Sequence, residues 1–382
     1  MDASLSDEDR AALVDAVRDF ATARLAPNAA DWDAEKHFPT DTLQEAGALG
    51  LGGIYVREDV GGSGLSRLDA VAIFEELAKG DTTIAAYISI HNMVAWMVDE
   101  FGDQQQRERW LPGLVAMTDL GSYCLTEPGA GSDAAAITTS ARREGDEYVL
   151  NGTKQFISGA GSSAVYVVMA RTGEAGSRGI SAILVPADAA GLSFGPNEKK
   201  MGWNAQPTRQ VVFEDVRVPV GNRLSAEGDG FGIAMKGLNG GRVNMGACSL
   251  GGAQWALSKA TRYVQEREAF GAPLAANQSV LFALADMETD LQAARALLHR
   301  AATKMDEKAS DVASACALAK RFATDAGFRV ANEALQLHGG YGYLHEYGIE
   351  RVVRDLRVHQ ILEGTNEIMK LIVGREMLAA AR

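Results

Sequence analysis

The chain has 382 residues, 47% of them hydrophobic and 23% charged, with a formal net charge of −13. That is enough chain for two or three domains around a sizeable core, and the acidic balance excludes nucleic acid as the main partner, because no basic stripe is present to neutralise phosphates. Cys124, Cys248 and Cys316 are far apart and include no Cys-x-x-Cys pair, which points to reducing surroundings and away from a disulfide framework or a zinc site.

In chain order, Ser6 precedes the apolar stripe Leu13, Val14, Val17, Phe20 and Leu25, the pattern of a capped helix stopped by Pro27. Helical spacing continues through 43–49, 68–78 and 84–101, to about residue 120. The glycine run 61–64 reads as a helix connector, since no strand precedes it as a nucleotide fingerprint would require. Between 123 and 223, β-branched residues, alternation and turn signals take over. There Asn151-Gly152, flanked by 148–150 and 153–158, predicts a hairpin. Further strands are expected at 165–170, 180–185 and 210–218, with Pro219 ending the run. From about Phe231 the spacing is helical again, with long segments at 246–267, 280–308 and 312–337, as in an antiparallel bundle. No apolar run reaches the roughly 20 residues of a spanning helix, and the N-terminal stretch is acidic where a signal or transit peptide would be basic. Helix, sheet, helix in series predicts an α+β protein with segregated layers: an N-terminal helical domain over 1–122, a middle β domain over 123–223, and a C-terminal helical bundle over 224–382.

Four stretches carry candidate chemistry. In 360–370, Glu363 follows Ile361 and Leu362 and precedes Gly364. A carboxylate at such a bend has apolar walls, and desolvation raises its pKa toward that of a useful base; the plainer reading is a solvated loop. Thr365 or Asn366 can cap a helix with Ile368, Leu371 and Ile372 on one face. In 123–133, small residues let backbone N–H groups approach a ligand, while Thr126 and Ser132 supply hydroxyls, a surface suited to a planar ring edge or a phosphate. Arg267 lies at an expected helix end, with Gly271 as its C-cap and Pro273 beyond. The run 238–242 precedes a helix expected to begin near Gly246, and its plainer reading is a solvated arginine in a flexible loop.

The runs Cys124-Leu125-Thr126-Glu127 with Ala130-Gly131-Ser132-Asp133, and Gln336-Leu337-His338-Gly339-Gly340-Tyr341-Gly342-Tyr343 continuing through Glu346, Arg351 and Asp355, resemble the two signatures of the acyl-CoA dehydrogenase family. These are flavoenzymes that oxidise the α,β bond of an acyl-CoA thioester. The resemblance covers essentially the whole chain, and it implies a middle domain of barrel or sandwich form.

By that resemblance the FAD is expected to meet Tyr123, Leu125, Thr126, Gly131, Ser132, Phe156, Ile157 and Ser158. Arg267, Asn277, Gln278, Gln336, Leu337, His338, Gly339 and Gly340 would reach the FAD of a neighbouring subunit, and Thr365, Asn366 and Glu367 the adenosine end. Ser132, Asn239, Gly240, Gly241, Arg242 and Arg375 would bind the acyl-CoA. Some branches place the catalytic glutamate at the position of Gly241, so here the base is expected at Glu363, taking the α-proton while the β-hydride passes to flavin N5. Electron-transfer flavoprotein would reoxidise the cofactor.

The runs 60–69, 86–92, 202–209 and 360–367 resemble the branch that acts on isobutyryl-CoA in valine breakdown, giving methacrylyl-CoA; 2-methylbutyryl- and butyryl-CoA are the alternative substrates. An acyl-CoA oxidase, or a non-catalytic flavin-containing binding protein, are the readings from other classes. The resemblance implies a homotetramer, in the bacterial cytoplasm, or in the mitochondrial matrix if a transit peptide has been removed.

Overall fold

The computed structural model describes residues 6–381. Its first part is helical: α1 (Asp7–Phe20) running into a π-turn at Ala21–Leu25, then α2 (Ala29–Glu35), α3 (Thr40–Ala48), α4 (Arg67–Gly80), α5 (Thr82–Phe101) and α6 (Gln104–Val115). Local chemistry sets the starts. The Ser6 hydroxyl accepts from the Asp9 N–H, and Ser66 with Asp69, and Asp103 with Gln106, form reciprocal capping boxes that satisfy orphan donors. The glycine run 61–64 is a connector into α4, as its composition suggested.

The middle of the chain forms β1 (Gly121–Cys124), β2 (Ser140–Glu144), β3 (Glu147–Ser158), β4 (Val165–Arg171), β5 (Ile180–Pro186), β6 (Leu192–Phe194), β7 (Thr208–Pro219) and β8 (Arg223–Leu224). They make one eight-stranded sheet in the order β6-β7-β3-β2-β4-β5-β8, with β1 added parallel to β4. The predicted hairpin at Asn151-Gly152 is corrected by this topology. Residues 147–158 are one continuous strand, and the hairpin turn lies earlier, where Gly145 has φ +63° between the paired Glu144 and Glu147. Asn151-Gly152 instead marks a bulge in the β3–β7 pairing. The Asn151 side chain exchanges two 2.9 Å bonds with Asp215 across that bulge. Gly152, at φ +144°, leaves no room for a Cβ, which would stand 2.6 Å from Thr139 Oγ1.

The last part comprises α7 (Gly230–Glu266), the short hairpin β9 (Glu268–Ala269) and β10 (Ala272–Pro273), then α8 (Gln278–Asp306), α9 (Val312–His338), α10 (Ile349–His359) and α11 (Asn366–Ala380). Two expectations fail here. The run 238–242 is not a loop, because α7 begins at Gly230 and buries it. Its glycines are sites of close approach, as is Gly251, where a Cβ would stand 2.1 Å from the Glu75 carbonyl oxygen. Gly271 is not a C-cap. Arg267 takes that position, and Phe270 (φ +56°) with Gly271 (φ +81°) forms the tight turn of the hairpin. On α11, Leu371 faces solvent and Met369 is the buried apolar residue.

One core cluster joins α4 and α5 to α7, α8 and α9, so the two helical ends of the chain share an interior, while Tyr148, Tyr166 and Phe213 anchor a separate cluster within the sheet layer. Among the described residues no helix is long and apolar enough to cross a membrane.

Candidate active site

Between α10 and α11 the chain makes a sharp turn in which Glu363 has φ +54° and Gly364 φ +94°. For glutamate this left-handed conformation is strained, so surrounding contacts must hold it. They do so from three sides. Thr365 caps α11 by accepting from Ile368 N–H (3.4 Å). Arg242 Nε donates to the Glu363 carbonyl (3.2 Å), while its Nη1 donates to Asn239 Oδ1 (2.8 Å). Lys320 Nζ donates to the Gly364 carbonyl and to Asn366 Oδ1, both at 2.9 Å.

The Glu363 carboxylate points at Gly241. A Cβ there would stand 2.2 Å from Oε2, so this corner of α7 holds no side chain because the carboxylate occupies its space. The residue keeps some exposure overall, yet Oε2 is buried and has no hydrogen-bond partner. Burial pushes the carboxyl up to about 7, against the opposing pull of Arg242 and Lys320. A carboxylate that titrates near neutrality, with a free oxygen, is equipped to take a proton from a weak carbon acid.

The second half of the site is the loop after β1. Glu127 and Ala130 exchange backbone bonds across a tight turn. Burial disfavours the ionised Glu127 carboxyl, but Lys154, Thr139 and the Thr138 N–H hold it down at about 2. Lys154 Nζ also donates to the Leu125 carbonyl (2.9 Å), so this buried ion pair braces the loop from beneath. Above it, Gly131 and Ser132 are exposed, and nothing lies within 4 Å of a Cβ at Gly129 or Gly131. The Thr126 carbonyl accepts from Gln155 N–H (2.8 Å), joining the loop to β3 at a second bulge. There Phe156, at φ +60°, presents a ring that is 64% exposed. The side chains of Ile157 and Leu125 are buried. Ser158 Oγ accepts from Gln206 Nε2 (3.2 Å). Nearby, Trp203 N–H donates to Asp355 Oδ1 (2.6 Å) and its indole N–H to His359 Nε2 (3.3 Å), which ties this side of the sheet to the helix leading into Glu363.

The Tyr123 hydroxyl is buried without a partner; burial and the nearby Glu363 charge raise its pKa far above the ordinary phenol range. Asn239, Gly240, Gly241 and Arg242 all lie on α7 beside this turn, and Arg242 is only 4% exposed rather than solvated. Arg375 is exposed further along α11. Asn366 is buried, and its amide is consumed internally by Lys320, Thr324, Asp325 and the Arg321 carbonyl, while Glu367 stays exposed.

A third group gathers elsewhere. Arg267, Gln336, Leu337, His338, Gly339 and Gly340 line one cavity of about 390 Å³ together with Tyr263 and Leu274. The Leu274 carbonyl in turn accepts from Asn277, which precedes Gln278 at the start of α8. His338 stacks on Tyr263 at 4.3 Å and has a buried Nε2 without a partner. At 1.5 Å per residue along α7, Gly241 and Arg267 are about 39 Å apart. Tyr123 and 239–242 therefore stand beside Glu363, while Arg267 and 336–340 line a separate cavity.

Tyr55, Arg67 and Lys320 also lie beside this turn and are not among the site residues expected from the sequence. Arg67 lies 3.5 Å over the Tyr55 ring and would meet a Cβ at Gly240 at 2.7 Å. Lys320 falls on the same helix face as the buried Cys316, Ala323 and Gly327. A lone lysine in a buried stripe is the one signal that could have found it.

Family models match along the chain in order: acyl-CoA dehydrogenase N-terminal domain at 7–118, middle domain at 122–216 and C-terminal domain at 228–378. The mitochondrial isobutyryl-CoA dehydrogenase of Bos taurus is 54% identical over 359 residues, 94% of this chain and 86% of that protein. The corresponding protein of Dictyostelium discoideum is 54% identical over 371 residues, 97% and 89% of the two chains. The structure of butyryl-CoA dehydrogenase from Megasphaera elsdenii superposes with a TM-score of 0.95 at 39% identity, covering 99% of this chain and all of that one. With the Glu363 turn, the braced loop and all three domain matches in place, the chain belongs to the acyl-CoA dehydrogenase family.

Proposed function

We propose that the protein dehydrogenates a short branched acyl-CoA, isobutyryl-CoA to methacrylyl-CoA, with Glu363 as the base. The observation that carries the reaction class is the Glu363 carboxylate, set against Gly241 with a buried, unpartnered oxygen and a pKa of about 7. The substrate rests on the 54% identity to isobutyryl-CoA dehydrogenases, since one methylene in an acyl pocket is worth only about 1–3 kcal/mol.

The residues present fit a flavin. The exposed ring of Phe156, the open backbone at Gly129 and Gly131, the hydroxyls of Thr126, Ser132 and Ser158, and the orphaned Tyr123 hydroxyl together offer a flat face with polar edges. FAD bound there supplies the hydride acceptor. Glu363 removes the α-proton, its backbone N–H donates to the thioester oxygen, and Arg242 with Asn239 fixes the turn that presents both. Arg375 and Ser132 would meet the CoA.

The cavity at Arg267 and His338 is a second cofactor surface, too far along α7 to serve the same chain's base. We assign it to the FAD of a neighbouring copy, within a tetramer, and electron-transfer flavoprotein to reoxidation.

Anaerobic bleaching of the flavin absorbance by isobutyryl-, 2-methylbutyryl-, butyryl- and octanoyl-CoA tests this. Fastest bleaching by isobutyryl-CoA is the expected result. Fastest bleaching by a straight-chain thioester would overturn the substrate, and no bleaching by any of them would overturn the reaction.

A further inference from the structure

Lys320 has no exposed surface, which for an ammonium is costly unless something compensates the charge. The two acceptors of its amine, the Gly364 carbonyl and Asn366 Oδ1, are both neutral. The compensation therefore comes through space, first from Glu363 and then from Asp325 and Glu367. Resting on Glu363 as the base, we propose that Lys320 is a positioning residue for it: from behind the turn its ammonium grips the Gly364 carbonyl and the Asn366 side chain at the start of α11, and its charge lets the buried Glu363 carboxylate form.

The neighbours support this division of labour. Glu363 is faced by Arg242 and Cys248 from α7, Lys320 from α9, Tyr123 from β1 and Tyr55 from the loop before α4. Burial keeps both phenols and the thiol protonated. His359 on α10 is held neutral, its pKa pushed down to about 3 by burial and by Lys320 itself. Arg242 stays charged throughout the working range. Of the two cations whose charges act on the Glu363 carboxyl, Lys320 is thus the one that titrates, lowered by burial to about 8.

Two roles are combined, and they separate experimentally. A residue that only pins the turn changes the height of the pH profile, whereas a charge that tunes the base changes its midpoint. In the wild type, kcat/KM on the acyl-CoA should rise through about pH 7. In Lys320→Met the rise should move upward by about one pH unit or more, the effect of losing a nearby opposite charge, with at least a tenfold loss at pH 6. Activity should recover in part toward pH 9. Lys320→Gln, which keeps a donor for the Gly364 carbonyl, should show the same midpoint shift with a smaller loss at high pH.

If Lys320→Met does not accumulate as folded flavoprotein, Asn366→Asp, which sets a carboxylate against the ammonium, carries the same expectation. A midpoint that stays at the wild-type pH in these variants overturns the proposal, whatever happens to kcat. Glu363→Gln run in parallel separates the two claims: if it keeps turnover, the assignment of the base fails, and if it abolishes turnover while the midpoints stay fixed, only the role of Lys320 fails.

Discussion

The two ends of α7 differ in how far one chain completes them. At the Gly241 end, the carboxylate, guanidinium and ammonium are buried and positioned by the same polypeptide, down to the missing side chain at Gly241. At the Arg267 end, the cavity is open, Phe270 is fully exposed, and Tyr343 and Leu344 stand out beside it. A site that needs precise chemistry is finished before assembly. On the assignment of this cavity to a neighbouring copy, the exposed apolar groups around it are the ones that copy would cover.

The strongest challenge to this contrast is made at the finished end. Glu363→Gln should reduce turnover by at least about 10²-fold, the lower range for a positioned general base, while bound flavin is retained; stopped-flow reduction measures it. Gly241→Ala sets a methyl where the carboxylate lies and should lower kcat by about tenfold or more through displacement of the base. At the open end, Arg267→Ala should leave the chemical step intact and weaken flavin retention by about tenfold, the value of one charge-assisted bond, read by flavin content after dialysis.

A smaller effect concerns stability. The folded Glu363 carboxyl titrates near 7 against an ordinary value of 4.5. A raised folded pKa favours the folded state while the group is protonated; that benefit is full below 4.5 and lost as pH rises through 7. Above pH 7 the wild type therefore carries the cost of an ionised buried carboxylate. Glu363→Gln should be more stable than the wild type at pH 8, by about 3 kcal/mol at most, with the gain vanishing near pH 4.5. Thermal unfolding at both pH values decides this.

Much of this arrangement was legible in the sequence because its signals are local. Ser6, Thr365 and the β-branched runs act on their immediate neighbours, and they placed helix starts and strands correctly. Glycine was the main source of error. Gly145 makes a turn, Gly152 a bulge, Gly241 a vacancy for a carboxylate and Gly271 a hairpin. All four are written with the same letter, and only the opposing chain tells them apart. For the same reason 238–242 read as a loop: tertiary contact pays the helical cost of its glycines, and that contact is distant in sequence. Helix position puts Leu371 on the apolar face and leaves Asn366 a possible cap, but Leu371 is exposed and the Asn366 amide is turned inward to Asp325.

The length of α7 has a genetic consequence. If the base of one chain works with a cofactor held by the far end of another, two different inactive alleles can rescue each other. Mixing Glu363→Gln with a variant disabled at Arg267 would create pairs in which one site carries both lesions and the other none, restoring about a quarter of the sites in a random mixture. In such a protein, harm done by one mutation depends on which copy it is partnered with.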